Sequence, residues 1–180
     1  MRSILLLIIL IALSFYGCAN TPITLNYSPS SIKTVNGSLN VGDFEYLPSK
    51  DNKILPNQVR NTAASELFFE KNIDQYFEEA LFKELRFVGI NLNKSKTVVS
   101  GQIIEFFIDD LGFSIDWVLE VNYIVKRNDG KAICFNKTYR IEKTTQKFAA
   151  PLGVYNEIIK LNIEQMFNDK EFVNCIRSQS

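Results

Sequence analysis

The sequence predicts an α+β domain: a two-layer sandwich in which an antiparallel sheet of about four strands carries two helices packed on one face. Three observations predict it. From Phe113 to Val125 the odd positions Phe113, Ile115, Trp117, Leu119, Val121, Tyr123 and Val125 are all apolar, while Ser114, Asp116, Glu120 and Asn122 among the even ones are polar. That is the period of a half-buried strand with one dry face and one wet face. Two further segments, within 72–88 and 154–168, repeat apolar residues at helical spacing and so supply the cover that the dry face demands.

Taken in order, residues 20–40 are rich in Ser, Thr, Asn and Pro and read as an extended tether, with Ile23–Tyr27 as a short strand within it. Leu39–Leu47 reads as a first strand, with Leu39, Val41, Asp43 and Glu45 on one side and Phe44 and Tyr46 on the other. A polar loop follows over Pro48–Pro56, and Leu67-Phe68-Phe69 fits a loop end, a short strand or a helix start. From Asn72 to Val88, Ile73, Phe77, Ala80, Leu81, Leu85 and Val88 form an apolar stripe; Asn72 with Gln75 fits a capping box and Gly89 a C-terminal stop. Acidic residues gather in the first half of this helix and Lys83 and Arg86 in the last, which suits the macrodipole.

Thr97–Ile108 is the next strand, with Ile104, Phe106 and Ile108 on its apolar side. A turn at Asp109-Asp110-Leu111-Gly112 sets Ile108 opposite Phe113, Phe106 opposite Ile115 and Ile104 opposite Trp117, a register in which apolar sides share a face. After Val125, a three-residue loop Asn128–Gly130 pairs Val125 with Ile133 and Tyr123 with Phe135 and puts Cys134 on the wet face beside Ile124. Lys143–Gly153 is a loop, Val154–Asn168 the second helix, and Phe172, Val173 and Ile176 extend or restart it. With the helices on the odd face, Cys134 and Cys175 fall on opposite sides of the sheet, so they read as two separate small apolar residues, with a disulfide as the alternative.

The chain has 180 residues, 46% of them hydrophobic and 22% charged, enough for one domain and an appendage. Lys plus Arg and Asp plus Glu are 20 each, a balance that argues against a nucleic-acid partner. There is no His, which removes imidazole acid–base catalysis, Ser–His triads and His-ligated metals together. Met1-Arg2-Ser3 is a positive n-region and Ile4–Leu13 an apolar h-region too short to span a bilayer, which takes about 20 residues. Gly17-Cys18 directly after it resembles the lipobox of bacterial lipoproteins, with Phe15 where that motif usually has Leu; the alternative is an ordinary secretory signal or a short membrane anchor. The likeness implies a signal peptide over 1–17, a lipidated Cys18 with a tether over 18–38, and a periplasmic α+β domain over 39–180. Several acyl chains on one Cys give stable anchoring. Ala19, where an Asp would signal inner-membrane retention, implies the outer membrane, facing the periplasm.

No catalytic, metal or cofactor motif emerges, and the ligand-binding residues stay unassigned. Glu105, Asp109, Asp110 and Asp116 cluster at one hairpin end without the spacing of a calcium loop, and read as a solvated acidic tip. Trp117, Tyr123, Phe135 and Tyr139 line the dry face; they read as core, with the walls of a lipid groove as the alternative if the helices splay.

Leu25-Asn26-Tyr27-Ser28-Pro29 after the Cys, the Phe77–Gly89 helix running into Ile90, and the hairpin from Trp117 to Tyr139 resemble the YajG-type family of small bacterial lipoproteins. The strand–helix–meander–helix order is also similar to auxiliary lipoproteins of phospholipid-transport systems and, more loosely, to the lipoprotein plug of the lipopolysaccharide translocon. The resemblance implies a non-enzymatic binding or assembly module of the envelope, held to the membrane through Cys18 and partnered by another envelope protein. The alternative it implies is lipid carriage. The partner's openings would be an exposed sheet edge, or the wet face where Val118 and Ile124 sit.

Overall fold

The computed structural model describes residues 22–50, 54–62, 67–92, 95–127, 132–147 and 151–177. The segments read as signal peptide and lipobox, including Cys18, and the turn Asn128–Gly130 lie outside the described residues. In chain order the elements are β1 (Asn40–Tyr46), the single helical turn α1 (Leu47–Lys50), β2 (Gln58–Asn61), β3 (Leu67–Phe68), α2 (Ile73–Phe87), β4 (Val98–Asp109), β5 (Ser114–Arg127), β6 (Ala132–Gln146), α3 (Pro151–Asn168) and α4 (Lys170–Arg177).

The class is α+β, but the sheet is larger than about four strands and is mixed rather than antiparallel. Its order is β3-β2-β4-β5-β6, with β1 also on β4. β4, β5 and β6 form the expected antiparallel meander, whereas β1 and β2 lie parallel to β4, one along each half of its length. The reason is the return path: β3 runs back against β2 and α2 follows it, so β4 sets out again in the direction of β1 and β2. The expected pair of helices becomes α2, α3 and the short α4 on the dry face, with α1 as one extra turn.

β5 keeps its alternation throughout: Ile115, Trp117, Leu119, Val121, Tyr123 and Val125 are all buried. Its neighbours keep theirs only piecewise, because each carries one extra residue. In β4, Ile103 pairs with Val121 and Glu105 with Glu120, so Ile104 is a bulge. Val99 and Ile103 face the core before it and Phe106 and Ile108 after it, and Ile104 leaves the side assigned to it. In β1 the register shifts between Val41 and Phe44, which lets both Leu39 and Phe44 be buried. Gly101 of β4 lies where the Phe44 ring crosses; a Cβ there would stand 1.9 Å from the Asn122 carbonyl oxygen and 2.9 Å from that ring.

The β4–β5 hairpin is longer than the expected turn. Ile108 pairs with Trp117 and Asp109 with Asp116, so Phe113 leaves the apolar face and stands clear of the domain. In β6 the bulge falls on Cys134: Val125 pairs with Phe135 but Lys126 with Ile133. This corrects the three-residue loop pairing, leaves Ile133 60% exposed, and turns Cys134 off the wet face. Cys134 is disulfide-bonded to Cys175 of α4, with Cα atoms 5.7 Å apart, so the two are not separate apolar residues on opposite sides.

The helices start and stop for local reasons. Asn72 is the N-cap of α2, but its side chain makes no cap bond, so the capping box does not form. Gly89 has φ 96°, and the bonds from Gly89 N to Arg86 O and from Ile90 N to Leu85 O complete a Schellman stop. α3 begins at Pro151, earlier than Val154, and α4 restarts after Asp169, whose carboxylate caps the Glu171 N–H at 2.8 Å.

The segment read as a free tether is a strap. Ile23 bridges to Phe69, Tyr27, Ser31 and Val35 are buried, and Val35 N donates to Val88 O. Its centre is held by Glu84 of α2, a fully buried carboxylate that accepts the Tyr27 hydroxyl at 2.6 Å and the N–H groups of Ser30 and Ser31 at 3.1 and 3.3 Å. Asn156 and Asn168 of α3 bond Asn26 and Lys33, so the strap ties the two long helices together across their outer side.

Two outcomes check this account. Removing the disulfide by a paired Cys134→Ser and Cys175→Ser change frees a loop with a sequence separation of 41 residues, which should lower unfolding free energy by about 3–4 kcal/mol in a denaturant titration. Glu84→Ala leaves three donors unpartnered, those of Tyr27 and Ser31 buried, and should lower stability by roughly 3 kcal/mol; limited proteolysis should then cut within 24–35 before the rest of the domain.

Candidate interaction surface

The dry face is filled rather than open. Trp117 is 1% exposed, stacks edge-on against Tyr155 of α3 and donates its indole N–H to Thr145. Tyr123 packs against Phe44 and Phe77, and Phe135 against Phe172. Asn162, which the reading of Val154–Asn168 as an amphipathic helix did not single out, sits fully buried on the apolar stripe of α3. It accepts the Tyr123 hydroxyl at 2.8 Å and donates to the carbonyls of Leu119 and Tyr139. A polar residue four positions after Ile158 on an apolar stripe was the available signal. The aromatic residues considered as groove walls are therefore core, and they meet the helices directly.

The carboxylates of the acidic tip are engaged locally. Glu105 pairs with Arg60 at 3.0 Å, Asp109 accepts the Thr62 hydroxyl at 2.8 Å, and Asp116 accepts the Thr144 hydroxyl. Among the described residues no group of three His, Cys, Asp or Glu side chains is placed to hold a metal.

Two of the surface grooves among the described residues flank the strap. One, about 410 Å³, lies between strap residues Ile23–Asn26 and Phe69, Glu70, Lys71 and Tyr76. The other, about 420 Å³, brings Lys33, Lys170 and Arg177 beside the amides of Asn168 and Asn174.

The outer edge of β6 is a long sheet border. This strand runs 15 residues and ends the sheet; among the described residues no strand pairs with its far side. Its charged side chains are tied down locally: Lys137 to Asp169 and Glu171, Arg140 to Glu120 and Glu142, Lys143 to Glu157. The backbone ladder stays presented while charge guards it against indiscriminate pairing. Asp169 anchors this edge to the helices, accepting both Lys137 Nζ and the Tyr139 hydroxyl. Burial works against its charge, but bonds from Lys137, Tyr139 and the Glu171 N–H outweigh that and hold its pKa at about 2. The wet face beside the edge carries Val118 and Ile124, both partly buried, among Glu120, Asn122, Asn136 and Thr138.

A low native pKa means the ionised form of Asp169 stabilises the fold, fully so above the unfolded value near 3.9. That contribution should fade as pH falls from about 4 through about 2, and Asp169→Asn should flatten this part of a stability-versus-pH curve measured by urea unfolding.

No family model matches the chain, and no curated protein does. Among solved structures the chain is similar in fold to protein XCC0632 from Xanthomonas campestris, of family DUF330, at 11% identity and TM-score 0.66, covering 89% of this chain and 100% of that one. Weaker overlaps, both at 11% identity, are with a minor lipoprotein from Acinetobacter baumannii (TM-score 0.36, 72% of this chain and 85% of that one) and lipoprotein GNA1162 from Neisseria meningitidis (TM-score 0.33, 74% and 99%). The first of these carries the likeness of fold.

Proposed function

We propose that the protein is a non-enzymatic binding or assembly module of the bacterial cell envelope. It is moored by acyl chains on Cys18 to the outer membrane, faces the periplasm, and docks another envelope protein against the free edge of β6. The observation that carries this reading is the edge itself: a 15-residue strand, presented beside a filled core, is a ready template for strand addition by a partner. The Gly17-Cys18 pair at the end of the h-region supports the mooring, and the YajG-type likeness of the sequence points the same way. Among the described residues no helix is long and apolar enough to cross a membrane, so anchorage falls to the N-terminal segment in this reading.

Lipid carriage is the weaker reading. It asks for a groove between helices and sheet, and the aromatic residues that would wall it, Trp117, Tyr123 and Phe135, touch α2, α3 or α4 instead.

Two measurements test the proposal in cells. Labelled palmitate should enter the parent chain and not a Cys18→Ser variant; equal labelling removes the mooring. A photo-crosslinking side chain at exposed Thr138 or Thr144 on β6 should capture an envelope protein that the same probe at Phe87, exposed at the end of α2, does not. Capture from Phe87 alone, or from neither strand position, removes the docking edge.

A further inference from the structure

The strap changes how far the domain can stand from its anchor. Ile23 is already part of the fold, bonded to Phe68 O through its N–H and to Glu70 N through its carbonyl. Cys18 lies five residues earlier, a length that spans at most about 18 Å. The direction of approach is fixed as well. Ile23 lies parallel to Phe69, β3 runs antiparallel to β2, and β2 runs parallel to β4. The chain therefore enters Ile23 from the end of the sheet at which β4 turns into β5.

That end carries the most exposed apolar side chains in the described structure outside the strap. Leu111 is 72% exposed and Phe113 102%. Leu152, exposed at the start of α3, follows the end of β6 at the same end. The loop bearing Leu111 and Phe113 is built, not loose. Thr62 donates its hydroxyl to Asp109 and accepts Asp110 N–H, Asp109 accepts Leu111 N–H, and Lys147 Nζ donates to the carbonyls of Asp110 and Gly112 at 2.8 and 3.2 Å. With the N–H groups of Asp110 and Leu111 and the carbonyls of Asp110 and Gly112 engaged, the loop holds two large apolar side chains outward.

The lengths agree. Ile23 stands level with Asn57 through Phe69, and Asn61 stands level with Ile108. Four residues from Asn57 to Asn61 and one from Ile108 to Asp109 carry the sheet about 17 Å along the strands from Ile23, and the bend bearing Leu111 and Phe113 lies beyond that. The five residues back to Cys18 span at most about 18 Å, so the tip stands about as far along the strands as that length of chain can reach.

We infer that Leu111 and Phe113 form a second membrane contact, dipping into the lipid surface that holds the acylated Cys18 and fixing the sheet upright on it. The inference rests on the mooring proposed above. Asp109, Asp110 and Asp116 around the tip favour a zwitterionic over an anionic surface. A lone acyl anchor lets a domain swivel; a second contact a few residues wide sets which way β6 faces.

The test uses the full acylated chain, purified from membranes and reconstituted into phosphatidylcholine vesicles with or without brominated acyl chains. Phe113→Trp places a reporter where the side chain touches nothing, so folding is not at stake, and Trp117 contributes the same buried background to every sample. Ile133→Trp, at the opposite end of the sheet, is the control. The expected result is bromolipid quenching several-fold stronger at position 113 than at 133, together with loss of acrylamide quenching at 113 on vesicle binding. Protein that floats with vesicles but quenches equally at both positions overturns the tip contact alone. Protein that fails to float overturns the mooring and the tip contact together.

Discussion

The structure hangs on the unbroken alternation of β5. Six consecutive odd positions, Ile115 to Val125, are buried, and both neighbouring strands pair along nearly the whole length of this one. A strand with period two cannot shift by one residue without moving its entire apolar set into water. β5 is therefore the fixed reference, and α2, α3 and α4 are all placed by what it presents: Phe77 against Tyr123, Tyr155 against Trp117, Phe172 beside Phe135 on the next strand. The buried amide in this layer, Asn162, is accommodated because it meets a hydroxyl and two strand carbonyls at once.

Around that reference the other strands adjust by single extra residues. The bulge at Ile104 exchanges Ile103 for Ile104 in the core; the one between Val41 and Phe44 buries Leu39 and Phe44 together. The bulge at Cys134 has the largest consequence. It brings that sulfur to α4 and cross-links the free border of the sheet to the last helix. Together with Asp169, which joins Lys137 and Tyr139 to the α3–α4 junction, it stiffens an edge that would otherwise be the loosest part of the sheet. A rigid edge is the better docking template, because less motion is lost when a partner pairs with it.

The strap gives the fold its third layer. A buried carboxylate that receives three donors ties residues 27–31 to α2, so the packed domain reaches back along the chain to the segment around Ile23. On the proposed mooring through Cys18, that short connection would leave the body few orientations, set by the strand directions.

What the sequence by itself determined is what depends on local periodicity: the dry and wet faces of β5, the α2 stripe with its Gly89 stop, the second helix, and the balance of charge with no His. Those signals need only neighbours within a few residues, and the buried Trp117 and the filled stripe of α2 follow from them. The tertiary structure alone decided where alternation slips, because a bulge costs one ladder bond and is chosen by packing several strands away; nothing near Ile104 or Cys134 in the chain announces it. It also decided that β1 and β2 run parallel to β4, that Cys134 meets Cys175, and that a Ser- and Pro-rich stretch resembling a tether is bound. Glu84 shows the reason most plainly: between Lys83 and Leu85 it reads as a solvated helix residue, and only the arrival of Tyr27, Ser30 and Ser31 from more than fifty positions away makes it the most buried charge in the domain.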